Sequence, residues 1–139
     1  MDNNDLFLRV KKLKLPIGKH ALFGSAPLGI RGLKNCHDID IVVTEDLWKE
    51  YKEKNWEVRD MPNGSQYLSN DEIELWKNWK PGEWNIEKVI NDSEIIDELP
   101  FVRLEDVLKW KKTMIKLNWY GRTKDQKDVE IIEKFLKLK

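Results

Sequence analysis

The sequence predicts a mixed α/β fold of the α+β kind, in which a short mixed β-sheet is flanked by helices. Three observations lead to this class. Helical and β-branched stretches alternate along the first third of the chain, three extended stretches follow one another in its middle, and amphipathic helical stretches dominate its last third. The predicted order of elements is therefore α-β-α-β-α-β-β-β-α-α.

Length and composition predict a single domain and exclude several classes of protein. The chain has 139 residues, which is the usual size of one domain, so residues 1–139 are predicted to form a single domain. Its 25 basic and 25 acidic side chains balance, which argues against generic binding of double-stranded DNA. The one cysteine, Cys36, excludes a disulfide framework. Because no secretory signal and no membrane-spanning run is recognisable, we expect a cytoplasmic protein.

The first elements follow from apolar spacing and from chain-breaking residues. Residues 5–14 have helical spacing, and Pro16 ends that helix. Residues 20–23 read as a buried strand that meets a tight turn at Gly24-Ser25. Residues 26–33 are expected to form one or two helical turns.

The middle of the chain contains the clearest strand, residues 38–43 (DIDIVV), which is β-branched and bounded by polar residues. Thr44 is predicted to be the N-cap of a helix that runs to about Lys54. Three further strands are predicted, at residues 56–59, 66–69 and 72–76.

The last part of the chain is predicted to be mainly helical. A short helix at residues 85–91 precedes brief extended pieces at 94–96 and 101–102. A lysine-rich helix at residues 103–118 and a final helix from Gln126 to about Leu136 complete the chain. Asp125 and Asp128 are expected to pair locally with Lys124 or to cap the final helix.

Two carboxylates on one strand are the first indication of chemistry. Asp38 and Asp40 lie two residues apart, so their side chains project from the same face, while Ile39 and Ile41 project from the other. Like charges this close repel each other, so a divalent cation is expected beside them, and their hard oxygen ligands suit Mg²⁺. The alternative is a solvent-facing pair on an edge strand.

A second pair of acids, Glu72 and Glu74, repeats this pattern on a later predicted strand. A third carboxylate from a neighbouring strand would complete a metal site. We prefer Glu74 because Ile73 and Leu75 flank it, with Glu72 as the alternative.

The Gly24-Ser25 turn precedes the first acid pair, and twelve residues (26–37) separate Ser25 from Asp38. Glycine lets the backbone approach a phosphate closely, and serine offers a hydroxyl donor. A phosphate-binding turn beside a carboxylate metal site is suited to a metal–nucleoside triphosphate.

These motifs resemble the signature of the nucleotidyltransferase superfamily, which has the polymerase-β-like fold. The resemblance is carried by Phe23-Gly24-Ser25, by Asp38-Ile39-Asp40-Ile41 and by the later acid Glu74. The last third of the chain resembles a segment common in small bacterial and archaeal nucleotidyltransferase-like proteins. The residues that match it are Leu104-Glu105-Asp106, Lys111, Arg122-Thr123-Lys124-Asp125 and Asp128.

The resemblance implies a minimal nucleotidyltransferase fold and a Mg²⁺-dependent enzyme that transfers a nucleoside monophosphate from an NTP to an acceptor hydroxyl. It assigns the triphosphate to Gly24 and Ser25. It assigns catalysis and the binding of two metal ions to three acids, which are Asp38, Asp40 and Glu74. Further nucleotide-binding residues that it suggests are Arg31, Lys111 and Lys124.

Several alternatives stay open at this stage. The acceptor could be a small molecule such as an antibiotic, an RNA end or a protein hydroxyl. The chain could instead be an inactive nucleotide-binding module, or a regulatory module of a toxin–antitoxin system. Three of its seven tryptophans lie in residues 76–84, and packing of this loop onto the body is favoured over stacking on a nucleobase. A partner-binding patch in this loop would make the chain an interaction protein.

Overall fold

The computed structural model describes residues 2–119 and 124–138, and within these ranges the chain forms six helices and a seven-stranded mixed sheet. The predicted α+β class is confirmed. In chain order the elements are α1 (Asn3–Leu13), β1 (His20–Phe23), α2 (Ala26–Gly29), β2 (Ile39–Val43), α3 (Glu45–Glu53), β3 (Glu57–Asp60), β4 (Gln66–Asn70), β5 (Ile73–Trp76), α4 (Ile86–Asn91), β6 (Glu94–Ile96), β7 (Leu99–Phe101), α5 (Leu104–Leu117) and α6 (Asp125–Lys137). No helix in these ranges is both long and apolar enough to cross a membrane.

The strands are ordered β3-β4-β5-β2-β1-β7-β6 across the sheet. β2 pairs in parallel with β5, and β1 pairs in parallel with β7, whereas all other neighbouring strands are antiparallel. All four residues of the edge strand β3 are exposed, as its sequence EVRD requires. β2 lies in the interior of the sheet, so the alternative that the acid pair belongs to an edge strand is wrong.

The two faces of the sheet are buried under different helices because successive side chains of a strand point to opposite sides. Ile39, Ile41 and Val43 of β2 pack with residues of α1 and α3. Val42 belongs to the opposite core, which contains residues of α4, α5 and α6. By the same alternation Asp40 faces the side of α4, α5 and α6.

Element boundaries differ from the predicted ones by only a few residues in most cases. Thr44 stands at the N-cap of α3 as predicted, although its side chain makes no capping hydrogen bond. α2 is a single turn, and β7 is a strand in parallel pairing with β1, where the sequence indicated only a brief extended piece. Glu72 was expected inside a strand, but β5 begins one residue later because the turn before it contains Asp71 in the left-handed region, with φ of 53°.

The loop that leads from α2 to Asp38 is fastened at both sides by distant residues. The Asn3 side chain of α1 donates to the Lys34 carbonyl oxygen at 2.9 Å and accepts from the Cys36 N–H at 2.8 Å. The Lys34 ammonium donates to both carboxylate oxygens of Asp128 in α6, at 2.8 and 3.0 Å. The first and last helices together therefore position the segment that carries Asp38.

Candidate metal and nucleotide site

Asp40 and Glu74 meet at the centre of the sheet. β2 and β5 are parallel neighbours, and Asp40 stands directly opposite Glu74 in their register. Ile73 and Leu75 lie in the core beneath the other face, so Glu74 shares the face of Asp40. The two carboxyl groups lie close enough for each to affect the protonation of the other.

The electrostatics of this pair are unfavourable in the absence of a cation. Burial raises the pKa of Asp40 well above its ordinary value, and the neighbouring charges of Glu74 and Asp38 raise it further. Burial likewise raises the pKa of Glu74, and Asp38 adds to this effect, although the hydrogen bond from Asp40 opposes it. The Trp76 Nε1–H also donates to Glu74 Oε1 at 3.3 Å. Burial and the nearby carboxylates therefore both favour the protonated form of the pair.

Asp38 completes an acid cluster, by which we mean Asp38, Asp40 and Glu74. It lies one residue before β2 and is half-buried. Its charge acts on both Asp40 and Glu74, as their raised pKa values show. The structure thus places Glu74 beside Asp40, with Asp38 near enough for its charge to act on both.

The Gly24-Ser25 turn touches this cluster directly. Phe23 stands opposite Asp40 in the antiparallel register of β1 and β2, so the next residue, Gly24, lies against the Asp40 side chain. Gly24 has a φ of 65°, and a Cβ added to it would lie 2.5 Å from Asp40 Oδ2. Only glycine satisfies both the backbone conformation and the close approach. Ser25 follows at the N-cap of α2, where its side chain makes no capping hydrogen bond.

Glu72, the alternative third acid, lies away from the cluster. It forms an ion pair with Arg9 of α1, and the hydrogen bond from Arg9 lowers its pKa. The structure therefore places Glu74, and not Glu72, beside Asp40.

Two of the three cations suggested for phosphate binding are engaged elsewhere. Lys111 is only 2% exposed, and its ammonium lies 3.1 Å from Asp125 Oδ1 and 2.9 Å from Asp128 Oδ2. The guanidinium of Arg31 donates to the Pro27 carbonyl oxygen at 2.7 Å and lies 3.6 Å from Glu94 Oε1. The structure does not bring either side chain to the acid cluster.

The remaining suggested cation, Lys124, is exposed at the start of α6 and lines a surface groove together with His37 and Lys127. Arg122 and Thr123 of the same motif lie outside the described residues.

A buried ion network, formed by Lys34, Lys111, Asp125 and Asp128, is the feature that the sequence pattern did not reveal. Asp125 and Asp128 are 1% and 3% exposed. The expectation that they serve only local pairs or a cap is wrong, because Asp128 pairs with Lys34, 94 residues away, and both acids pair with Lys111. Their i, i+3 spacing on one helix face is the only local signal of a shared role.

An aromatic cavity of about 260 Å³ opens beside the acid cluster. Asp40 and Glu74 form part of its wall, together with the side chains of Asn63, Ser65 and Asn78. Six aromatic residues also line the cavity: Phe23, Tyr67, Trp76, Trp79, Trp110 and Trp119.

The tryptophan-rich segment packs onto the body of the protein, as favoured from the sequence. Trp79 is buried, with its ring centroid 5.5 Å from that of Phe23 and 5.3 Å from that of Trp110. Trp84 stacks on Trp79 with centroids 4.1 Å apart. The Trp110 Nε1–H donates to the Lys80 carbonyl oxygen at 2.8 Å, which holds the segment against α5. This packing forms one wall of the aromatic cavity.

No protein-family model, no curated protein and no solved structure matches this chain.

Proposed function

We propose that the protein is a metal-dependent nucleotidyltransferase, which transfers a nucleoside monophosphate from an NTP to an acceptor hydroxyl. The observation that carries the proposal is the convergence of Asp38, Asp40 and Glu74 beside the Gly24-Ser25 turn. The sequence motifs that resemble the superfamily and the geometry of the acid cluster support the same chemistry.

The donor set of the acid cluster fits a divalent cation. Three carboxylates supply hard oxygen ligands, which Mg²⁺ prefers, and burial together with the charges of Glu74 and Asp38 raises the pKa of Asp40, so a cation there would be favourable. Asp38, Asp40 and Glu74 would hold Mg²⁺. When bound, the metal would neutralise triphosphate charge and stabilise the attacking and leaving oxygens of an in-line displacement.

The remaining roles follow from position. Gly24 lets the turn lie against Asp40, so phosphates held at the Gly24-Ser25 turn would also lie within reach of the acid cluster. Glu74 would accept the proton of the incoming hydroxyl. Catalysis would then consist mainly of positioning and charge stabilisation, as in other phosphoryl transfers.

The test is transfer of label from ATP, GTP, CTP or UTP carrying a labelled α-phosphate, incubated with the protein, Mg²⁺ and cell extract. We expect a labelled product with the wild-type chain and its loss with Asp40→Asn, which keeps the shape of the side chain but not its charge. Asp60→Asn, on the exposed strand β3, is the matched control and should keep the transfer activity. Label transfer that persists in Asp40→Asn would contradict the proposal.

A nucleotide-binding module without turnover is the second candidate, and one observation favours it. Arg31 and Lys111, two of the cations suggested for phosphate binding, are engaged in other contacts. Calorimetry with Mg²⁺ and a non-hydrolysable ATP analogue separates the two functions. Binding that depends on Asp40, combined with no labelled product under any condition, would favour the module.

A further inference from the structure

The aromatic cavity extends across the acid cluster from Phe23 of β1, next to the Gly24-Ser25 turn, to Tyr67 of β4. Asp40 and Glu74 line it, whereas Gly24, Ser25 and Asp38 do not belong to its lining. Across the sheet, the neighbouring strands lie in the order β1, β2, β5 and β4, and the Gly24-Ser25 turn follows β1. Tyr67 of β4 and the neighbouring Ser65 lie on the far side of Glu74 from that turn. The phosphate-binding turn and this wall of the cavity therefore flank the acids from opposite sides.

This arrangement matches the geometry of an in-line displacement. The attacking and leaving oxygens stand on opposite sides of the phosphorus, roughly on one line. If the turn holds the phosphates that leave, the attacking hydroxyl arrives from the side of Glu74. The end of the aromatic cavity at Tyr67 and Ser65 lies on that side.

The size and lining of the cavity define what fits inside. The cavity volume of about 260 Å³ lies just below the ~300–1,000 Å³ typical of small-molecule sites. This space admits one or two rings, and it is too small for a folded protein segment or a stretch of polynucleotide. Indole and phenol surfaces favour flat apolar ring faces, while Asn63, Ser65 and Asn78 can form hydrogen bonds with polar substituents.

Trp79 supplies an independent sign of a missing ligand. It lines the cavity and is 3% exposed, and its Nε1–H has no hydrogen-bond partner among the described residues. A buried donor without a partner is rare in folded proteins. An acceptor atom on a bound molecule would satisfy it after a small movement of the ring.

We propose that the aromatic cavity is the acceptor site and that the acceptor is a small molecule with a hydroxyl group attached to, or next to, a flat ring. This inference rests on the proposed nucleotidyltransferase function. It selects a small molecule over an RNA end and over a protein hydroxyl.

The reaction balances without a further reactant. The acceptor oxygen forms a bond to the α-phosphorus of the NTP, and the bond between that phosphorus and the oxygen bridging to the β-phosphate breaks. The electron pair of the broken bond leaves with pyrophosphate. The hydroxyl proton passes to Glu74 and from there to solvent.

The experiment follows the tryptophan indole N–H signals of the ¹⁵N-labelled protein by NMR during titration with tyrosol, an aromatic probe that carries an aliphatic hydroxyl. We expect the signals of Trp79 and Trp110 to shift, while those of Trp48 and Trp56 in the opposite core stay in place. Glycerol, which has hydroxyls but no ring, should shift none of them. Absence of any shift with tyrosol would overturn the inference.

A pair of variants on the same two strands sharpens the test. Tyr67→Ala removes a half-buried ring that stacks on Trp76 with centroids 4.3 Å apart, and should weaken tyrosol binding about tenfold. Val58→Ala, on the neighbouring strand and outside the cavity lining, should leave it unchanged. Equal weakening by both variants would count against binding in the cavity.

Titration with Mg²⁺ and a non-hydrolysable ATP analogue separates this inference from the proposed function. If the nucleotide binds through Asp40 but tyrosol shifts no indole signal, the acceptor assignment fails and the proposed function stands. If the nucleotide moves Trp79 and Trp110 in the way expected of tyrosol, the cavity holds the nucleobase and the acceptor assignment fails. If no nucleotide binds, the proposed function fails, and the acceptor assignment falls with it.

Discussion

The protein contains two groups of charges inside its fold, and they are built in opposite ways. The buried ion network joins two ammonium groups to two carboxylates, with Lys111 between Asp125 and Asp128 at 3.1 and 2.9 Å. The acid cluster contains only carboxylates, and burial together with the charge of Asp38 raises the pKa of both Asp40 and Glu74. The first arrangement is complete in the folded chain. In the second, the divalent cation of the proposed function would supply the missing positive charge, and this difference separates a group of charges that the fold itself completes from one proposed to bind a ligand.

Breaking the buried ion network should have the largest effect on stability. In Lys111→Met the carboxylates of Asp125 and Asp128 stay buried without the ammonium between them, so we expect a loss of about 3–5 kcal/mol in the free energy of unfolding. Urea denaturation measures this loss. Lys112→Met is the control: Lys112 is exposed and lies 3.9 Å from Glu133, an ion pair worth at most about 1 kcal/mol. Similar losses in the two variants would show that the network is not what holds α5 to α6.

An intermediate effect is expected at the turn that supports the acid cluster. Gly24→Ala and Gly64→Ala both put a side chain at a left-handed position, with φ of 65° and 87°, at a cost of about 1–2 kcal/mol each. Gly64 has nothing within 4 Å of the added Cβ, whereas the Cβ at position 24 collides with Asp40 Oδ2. We therefore expect Gly24→Ala to lose about 1–3 kcal/mol more.

The same glycine pair tests metal binding. If the proposed Mg²⁺ site exists, Mg²⁺ should raise the melting temperature of the wild-type chain, and Gly24→Ala should remove this increase because it displaces a carboxylate of the acid cluster. Gly64→Ala should keep that increase. A Mg²⁺ response that survives in Gly24→Ala would separate the turn from the cation site.

The smallest expected effect concerns the direction in which the free energy of unfolding changes with pH when no metal is present. The folded pKa of Asp40 is raised, so the native state binds the extra proton and the wild-type chain loses stability as pH rises above the ordinary value of 3.8. Asp40→Asn removes this loss and should be about 0.5–2 kcal/mol more stable at pH 7.

Asp128 should behave in the opposite way. Burial alone would raise its pKa, but hydrogen bonds from Lys34 and Lys111 outweigh burial and lower it. The stability that Asp128 contributes is therefore present above its ordinary pKa of 3.8 and is lost as pH falls through the lower folded value. Urea denaturation with a chelator, from pH 3 to pH 7, gives the free energy of unfolding of each chain. As pH rises, the stability of the wild-type chain relative to Asp40→Asn should fall, whereas its stability relative to Asp128→Asn should rise. Slopes of the same sign would contradict the distinction between the two groups of charges.

Local patterns predicted much of the fold and the centre of the site. The alternation of acids and isoleucines over residues 38–41 placed Asp38 and Asp40 on one face, because a strand reverses its side chains at every residue. Glu74 was preferred over Glu72 for its apolar neighbours, but the reason that Glu72 is excluded is the turn at Asp71 and the ion pair with Arg9. That pair joins residues 63 positions apart, and a local pattern contains no information about it.

The basic residues show more clearly what a local sequence pattern cannot predict. Lys111 was chosen because it matched a motif, and that motif is explained in this structure by the pairing of α5 with α6. The parallel pairing of β1 with β7 and the contact of Lys34 with Asp128 likewise depend on the tertiary fold. Sequence periodicity indicates on which face of a strand or helix a side chain lies. Its partner in an ion pair depends on elements that lie far away along the chain.

The fastening of the loop before Asp38 has a consequence for how the protein matures. During synthesis the strands that carry Asp40 and Glu74 emerge well before α6, yet the loop is held by Asn3 from one side and by Asp128 from the other. A nascent chain that has formed its central strands would still have a slack segment at Asp38. In the proposed function, the Mg²⁺ site would therefore be completed only when the last helix docks.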